Sequence, residues 1–157
     1  MRIANIVKND VVNGIGVCVS LFTQGCPHHC SGCFNSETWD FNGGYENHNL
    51  KGDIVKAISA NGIIRNFSIL GGEPLCEENR KMVKEVITAV KIAYPDIKIF
   101  VWTGYTLEEL QSENDPDINE ILENINVLID GKYIEELRDL GLPLRGSSNQ
   151  RVLKLKN

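Results

Sequence analysis

Hydrophobic positions along the chain alternate between runs typical of strands and runs with helical spacing. The strand-like runs predict strands at Val17–Thr23, Asn66–Leu70, Lys98–Thr103 and Asn126–Asp130. The stretches between them predict helices at Gly52–Ala60, Glu77–Tyr94, Thr106–Gln111 and Ile118–Asn124. A short run from Arg151, RVLKLK, indicates a further edge strand. This alternation is typical of parallel strands joined by crossover helices.

The number of strands limits the architecture that we expect. Four parallel strands are too few to close the usual eight-stranded barrel. We therefore predict a single compact α/β domain over residues 1–157, an open partial (β/α) barrel with a mostly parallel sheet and helices on its outer face. The long Asn- and Gly-rich connection 34–50 interrupts the alternation, and long loops in compact domains are often functional.

Composition and charge exclude several classes of protein. Apolar residues make up 42% and charged residues 24% of the 157 residues, which is ordinary globular usage. No apolar run approaches the roughly 20 residues of a membrane span, and no signal peptide is visible, so we expect a cytoplasmic protein without membrane contact. The net charge of −5 argues against direct nucleic-acid binding. An acidic run from Glu108 to Glu123 indicates either a solvated helix pair or a docking surface.

The cysteines carry the strongest chemical signal. Three of the five cysteines, Cys26, Cys30 and Cys33, fall in CPHHCSGC directly after the first predicted strand. Thiolates at this spacing favour an iron–sulfur cluster, in which three cysteines hold three irons and leave the fourth iron open. The alternative is a zinc site completed by His28, His29, Cys18 or Cys76. Cys18 and Cys76 are otherwise interpreted as packing residues.

A second motif, GGEP, ends the second predicted strand. Gly71 and Gly72 leave room for a ligand to approach the backbone, and Glu73 offers a carboxylate to an ammonium group. Ligands of open α/β sheets bind at the carboxyl ends of strands, and both motifs are predicted there. Together they predict one binding site.

These segments resemble a known family. CPHHCSGC is similar to the cluster loop of radical S-adenosylmethionine enzymes, and GGEP resembles the turn that binds the methionine part of their cofactor. Five further segments narrow the resemblance to the family that activates anaerobic ribonucleoside-triphosphate reductase. They are VNGIG, CFNSETW, VWTGYT, LIDGKY and RGSSNQ. They follow one another over nearly the whole chain.

The resemblance implies an oxidoreductase mechanism. A [4Fe-4S] cluster on Cys26, Cys30 and Cys33 would reduce S-adenosylmethionine bound at its open iron, and the resulting 5′-deoxyadenosyl radical would take a hydrogen from a glycine of the large reductase subunit. An electron donor such as flavodoxin would supply the electron. No acid–base catalytic residue is required.

The resemblance also assigns the cofactor contacts. It places Gly32, Cys33 and Phe34 beside the adenine end of S-adenosylmethionine, with the aromatic residue after the third cysteine, as in this family. It places Gly71, Gly72 and, through its carboxylate, Glu73 at the methionine end.

Other interpretations stay open at this point. Thr103 and Asp130, at two strand ends, are candidates for a cofactor or cation contact, or Asp130 for a turn cap. The chain could activate a different glycyl-radical enzyme or act on a small purine-like substrate, and the non-enzymatic alternatives are a zinc module and an electron carrier.

Overall fold

A computed structural model describes residues 2–156 and places seven strands in one sheet. The strands are β1 (Arg2–Asp10), β2 (Cys18–Thr23), β3 (Tyr45–Glu46), β4 (Asn66–Gly71), β5 (Ile99–Trp102), β6 (Val127–Asp130) and β7 (Arg151–Lys154). Their order across the sheet is β3-β1-β2-β4-β5-β6-β7. The central strands β2, β4, β5 and β6 are parallel, whereas β1, β3 and β7 pair antiparallel with their neighbours.

Four helices connect the strands, and the last two begin at side-chain caps. They are α1 (Leu50–Ile58), α2 (Glu77–Ala93), α3 (Leu107–Ser112) and α4 (Pro116–Asn124). Thr106 and Glu109 form a reciprocal capping box at the start of α3. Asp115 accepts a hydrogen bond from the Ile118 amide at the start of α4, where Pro116 occupies the first turn.

The predicted α/β class and the four central parallel strands are confirmed, and the barrel is not. All predicted helices are present within a few residues of the expected bounds, and β7 is the expected edge strand. The sheet is mixed, because three of its six strand pairings are antiparallel. Within residues 2–156 the strand order is linear from β3 to β7 and therefore describes an open sheet.

Strands β1 and β3 were missing from the sequence prediction. β1 lies one strand from the edge, and its residues are mostly half-buried or exposed, so its sequence RIANIVKND lacks a clean alternation of apolar and polar positions. Its register with β2 is also shifted at two places. β3 has only two residues, both exposed, and it lies inside the long connection that was predicted as a loop.

The two faces of the central strands have different neighbours. Alternate strand residues such as Leu21, Ile69 and Val101 belong to the main core, together with the apolar sides of α1, α2 and α4. Their neighbours in sequence, Phe22 and Leu70, point to the other face, as successive strand residues do. The sheet therefore has a helix-covered face and a second face that is free to line a site.

The acidic run around α3 and α4 is largely paired within the protein. Arg80 of α2 contacts Glu113 at 2.7 Å and Asp115 at 3.2 Å, and Lys84 contacts Asp117 at 2.7 Å. These ion pairs join α2 to the acidic segment, which favours a structural role over a docking surface. In the part of the chain that is described, no helix has the length and apolar character needed to span a membrane.

We predict that Arg80→Ala lowers the free energy of unfolding by about 2–4 kcal/mol, because it leaves two partly buried carboxylates and the Leu75 carbonyl without their donor. Urea unfolding of the cluster-free protein measures the change. Lys81→Ala, at an exposed position of the same helix, is the matched control and should change the free energy by less than about 0.5 kcal/mol. Equal losses in the two variants would contradict the structural role of Arg80.

Candidate functional site

The three motif cysteines lie on one loop that begins where β2 ends. Backbone hydrogen bonds tie the start of this loop to the following segment, from Gly25 N to Thr38 O at 2.7 Å and from Cys26 N to Trp39 O at 3.1 Å. Cys26 is buried, whereas Cys30 and Cys33 are partly exposed and share a tight turn closed by a 3.1 Å bond from Cys33 N to Cys30 O. The loop is therefore held at its base and accessible at its tip.

The donor set of this loop fits an iron–sulfur cluster. All three cysteines are free thiols. Among residues 2–156, no three His, Cys, Asp or Glu side chains are grouped so that they could hold one metal ion. Thiolates are the usual ligands of iron–sulfur clusters, and a cubane cluster takes each thiolate on a different iron. A donor set of three free cysteines on one loop therefore suits such a cluster.

The two histidines of the motif have partners other than a metal. His28 Nε2 lies 2.7 Å from Glu73 Oε1, and the His29 ring stacks on Trp39 with a centroid distance of 4.7 Å. Cys18 and Cys76, the other zinc candidates, are both buried. Burial raises the pKa of the Cys76 thiol to about 12, as expected of a packing residue.

Burial also raises the pKa of the Cys26 thiol. At Cys30 the pKa is raised by burial first and then by the neighbouring Cys33. Without a cluster these two thiols are therefore protonated at neutral pH. Because iron binds thiolates, loading of the cluster releases protons at this loop.

The GGEP turn lies directly against the base of the cysteine loop. Gly72 N donates to Thr23 O at 2.9 Å, and Glu73 N donates to Gly25 O at 2.8 Å. A Cβ on Gly72 would clash with the Gly25 backbone, and one on Gly71, which has φ of +105°, would lie 2.7 Å from Thr23 N. The two glycines thus allow two backbone segments to touch, a reason for glycine at these positions that is independent of any ligand.

A cavity of about 530 Å³ opens at the carboxyl ends of the central strands. Its floor includes Phe22 and Leu70, which face away from the helices, and its walls include Cys33, Gly71 and Gly72. The volume lies in the range of pockets that hold small ligands. The structure therefore brings the cysteine loop and the glycine turn to one concave site.

The segment RGSSNQ closes the opposite wall of this cavity. Gln150 Oε1 accepts from Gly146 N at 2.9 Å and Ser147 N at 3.1 Å, and its Nε2 donates to Gly131 O at 2.9 Å. A Cβ on Gly146 would lie 2.6 Å from the Phe34 ring, which also contacts Tyr133 at a centroid distance of 5.0 Å. This segment therefore packs directly on the residue that follows the third cysteine.

The Glu73 carboxylate is directed into the protein. It is 1% exposed. Besides His28, it accepts hydrogen bonds from Leu75 N at 2.9 Å, from Thr103 Oγ1 at 2.9 and 3.0 Å to its two oxygens, and from Gly104 N at 2.6 Å. Its contacts are thus with the chain itself.

Asp130, the other strand-end candidate, is also committed within the chain. It is 1% exposed and accepts from Leu107 N at 2.8 Å, which places its carboxylate at the first residue of α3. Arg151 of β7 donates to both of its oxygens. The Asp130 carboxylate therefore links β6, β7 and the start of α3. It caps the start of α3 and not the turn after β6.

The candidate residues separate into two groups. The lining of the cavity includes Cys33, Phe34, Gly71, Gly72 and Thr103, and it does not include Gly32, Cys26, Cys30, Glu73 or Asp130. Sequence reasoning missed several lining residues, namely Asn35, Tyr133, Arg145, Gly146 and Gln150, and it interpreted Trp102, which also lines the cavity, as a packing residue. All of these residues lie in segments that carry the family resemblance, namely CFNSETW, VWTGYT, LIDGKY and RGSSNQ. The resemblance identified the segments but assigned no roles to these residues.

An open α/β sheet with a tricysteine loop beside a strand-end cavity is the geometry of an iron–sulfur protein, and comparison with known sequences agrees. The model of the family described as "4Fe-4S single cluster domain" matches residues 12–153. An anaerobic ribonucleoside-triphosphate reductase-activating protein of Vibrio cholerae is 41% identical over 145 residues, covering 91% of each chain. The protein of the same name from Escherichia coli K12 is 37% identical, and the match covers 94% of each chain. The one from Enterobacteria phage T4 is 36% identical, and the match covers 97% of this chain and 93% of the phage protein. The chain belongs to this family of reductase-activating proteins.

We predict that Gly72→Ala lowers the free energy of unfolding by about 1–3 kcal/mol, because the added methyl group clashes with the backbone at Gly25. Thermal or urea unfolding of the cluster-free protein measures this change without any cofactor present. Gly52→Ala is the control, since its Cβ meets only the Asn49 side chain at 2.7 Å in α1. A Gly72→Ala protein as stable as the wild type would show that the turn is free to move away from the cysteine loop.

Proposed function

We propose that this protein is a radical S-adenosylmethionine activase that generates a glycyl radical on the large subunit of anaerobic ribonucleoside-triphosphate reductase. The observation that carries the proposal is that Cys33 and the glycines Gly71 and Gly72 share the wall of one cavity. Membership of the reductase-activating family supports the same partner and the same type of chemistry.

In this proposal Cys26, Cys30 and Cys33 would hold a [4Fe-4S] cluster beside the cavity, each thiolate on one iron. The exposure of the loop tip and the position of Cys33 on the cavity wall support this placement. When bound, the cluster would supply the electron for the cleavage of S-adenosylmethionine that generates the glycyl radical. The chain itself holds, orients and encloses the reactants.

Four of the six cofactor-binding residues of the proposal, Cys33, Phe34, Gly71 and Gly72, line the same cavity. Gly32, Cys33 and Phe34 contact the adenine end, and the bare backbone of Gly71 and Gly72 contacts the methionine end. Phe34 is held by Gly146 and Tyr133, which supports a fixed surface for the adenine end. Glu73 completes the turn, and its carboxylate is occupied by internal donors.

The remaining features of the proposal concern the whole chain. We propose one radical-enzyme domain over residues 1–157 whose sheet curves as a partial barrel around the cavity; the match over residues 12–153 and the single sheet support it. Five free cysteines support a reducing, cytoplasmic location. The electron donor is a low-potential protein such as flavodoxin, and the net charge of −5 supports partners other than nucleic acid.

Electron paramagnetic resonance on an anaerobic mixture tests this function. The mixture contains the reconstituted protein, a reductant, S-adenosylmethionine and the reductase large subunit from the same organism. We expect a glycyl radical signal only when all four are present. Methionine release without a radical on the reductase would indicate a different glycyl-radical enzyme or a small substrate as the target, and a colourless protein that binds zinc would reject the proposal.

We predict that Cys26→Ala, Cys30→Ala and Cys33→Ala each abolish S-adenosylmethionine cleavage, because each thiolate holds one iron. Iron content and methionine release are measured anaerobically after reconstitution. Full activity in any of the three variants would reject the ligand assignment.

Cys18→Ala and Cys76→Ala are the controls for this series. Both residues are buried and separate from the cysteine loop, and Cys76 Sγ donates to Glu73 O at 3.2 Å. Both variants should retain iron and cleavage. Loss of iron in a control that still folds would add that cysteine to the ligand set.

A further inference from the structure

Three sequence motifs meet at the Glu73 side chain, and only one of them contains a proposed iron ligand. His28 comes from CPHHC, Glu73 from GGEP, and Thr103 and Gly104 from VWTGYT. Their contacts to the carboxylate are 2.7 Å from His28 Nε2, 2.9 Å from Thr103 Oγ1 and 2.6 Å from Gly104 N. The buried carboxylate therefore joins the cysteine loop, the glycine turn and the end of β5.

The acceptor capacity of this carboxylate is filled by the chain. An ionised carboxylate has about four lone-pair sites and accepts only. Glu73 receives hydrogen bonds from four groups, namely His28, Leu75, Thr103 and Gly104, and its side chain is 1% exposed. An ammonium group of a bound ligand would have to displace one of these donors.

The neighbouring residues leave a fitted space for the His28 ring. A Cβ on Gly104 would lie 2.6 Å from the His28 ring, so a side chain at this position would push the imidazole away. The Tyr105 ring packs edge-on against the same imidazole at a centroid distance of 4.7 Å. The side chain of His28 is 8% exposed. The contact between His28 and Glu73 is thus built into two motifs and does not arise from a chance surface orientation.

His28 lies between Cys26 and Cys30, so its position determines where the loop tip lies. We propose that Glu73 is a positioning residue, which acts through His28 to hold the cysteine loop at a fixed distance from Gly71 and Gly72 and does not bind the cofactor ammonium. The inference rests on the proposed function for its effect on S-adenosylmethionine, and the contact itself is independent of any cofactor. It also assigns a role to VWTGYT, whose Thr103 and Gly104 orient the carboxylate.

The first experiment compares His28→Phe, Glu73→Gln and the double variant after anaerobic cluster reconstitution. His28→Phe keeps a ring beside Tyr105 and Gly104 but removes the donor. We expect four irons to be retained and the dissociation constant of S-adenosylmethionine to rise roughly tenfold, because binding must then also fix a loop position that the lost hydrogen bond no longer holds. The double variant should bind no more weakly than Glu73→Gln alone, because both changes break the same link.

His29→Asn is the matched control within the same loop. His29 has φ of +50°, which asparagine tolerates, and it has no contact with Glu73 among the described hydrogen bonds. Its affinity for S-adenosylmethionine should stay within about twofold of the wild type. Two outcomes would show that Glu73 contacts the cofactor directly and that the inference is wrong. In the first, His28→Phe binds S-adenosylmethionine as well as this control does, while Glu73→Gln binds it weakly. In the second, the losses of affinity in the two single variants multiply in the double variant.

The second experiment uses cluster-free protein and separates this inference from the proposed function. Hydrogen exchange of the segment 25–33 should be roughly fivefold faster or more in His28→Phe, with β5 unchanged apart from its end. Thr103→Val, which removes a donor from outside the loop, should give the same pattern and replaces His28→Phe if that variant does not fold. Unchanged exchange in both variants overturns the inference. A wild-type protein that binds neither iron nor S-adenosylmethionine overturns the proposed function instead.

Discussion

The site depends on the contact between two backbone segments with no side chain between them. β2 and β4 are parallel neighbours, and Thr23 lies opposite Gly71 in their register. The chain leaves both strands at the same edge of the sheet, so the cysteine loop and the GGEP turn must run side by side. Gly72 makes that approach possible, because a Cβ there would clash with the Gly25 backbone, and the hydrogen bonds of Gly72 N and Glu73 N hold it. The relative placement of the thiols and the cavity follows from this contact.

A buried carboxylate adds specificity to this arrangement. Burying a carboxylate costs free energy unless hydrogen bonds from the protein replace those from water. Removing one donor to a buried carboxylate therefore costs more free energy than that hydrogen bond contributes to stability. Because Glu73 has donors on the cysteine loop, on its own turn and after β5, a displacement of any of the three leaves a buried acceptor without its partner. Asn79 of α2 reinforces the same region from below by donating to Gln24 O and Glu73 O at 3.1 and 3.0 Å.

The sequence was most informative where one physical rule dominated. Buried central strands have apolar runs in the sequence, so their existence and parallel direction were predictable, as was the iron–sulfur loop from the spacing of Cys26, Cys30 and Cys33. β1 was missed because a half-exposed strand has a mixed pattern, and β3 because two exposed residues carry no pattern. The direction of the Glu73 carboxylate was not predictable, since Thr103 and Gly104 are 30 and 31 residues away and only the fold brings them together.

The walls of the cavity come from distant parts of the chain, so the ribosome synthesises them at different times. Cys33 belongs to the first loop after β2, whereas Gly146 and Gln150 belong to the segment that precedes β7. A ribosome makes the cysteine loop long before the wall that packs on Phe34. Until that segment is made, Phe34 lacks the residue that packs on its ring, and pairing of β7 with β6 places the segment. The cavity wall opposite Cys33 is therefore the last part of the site that the ribosome supplies.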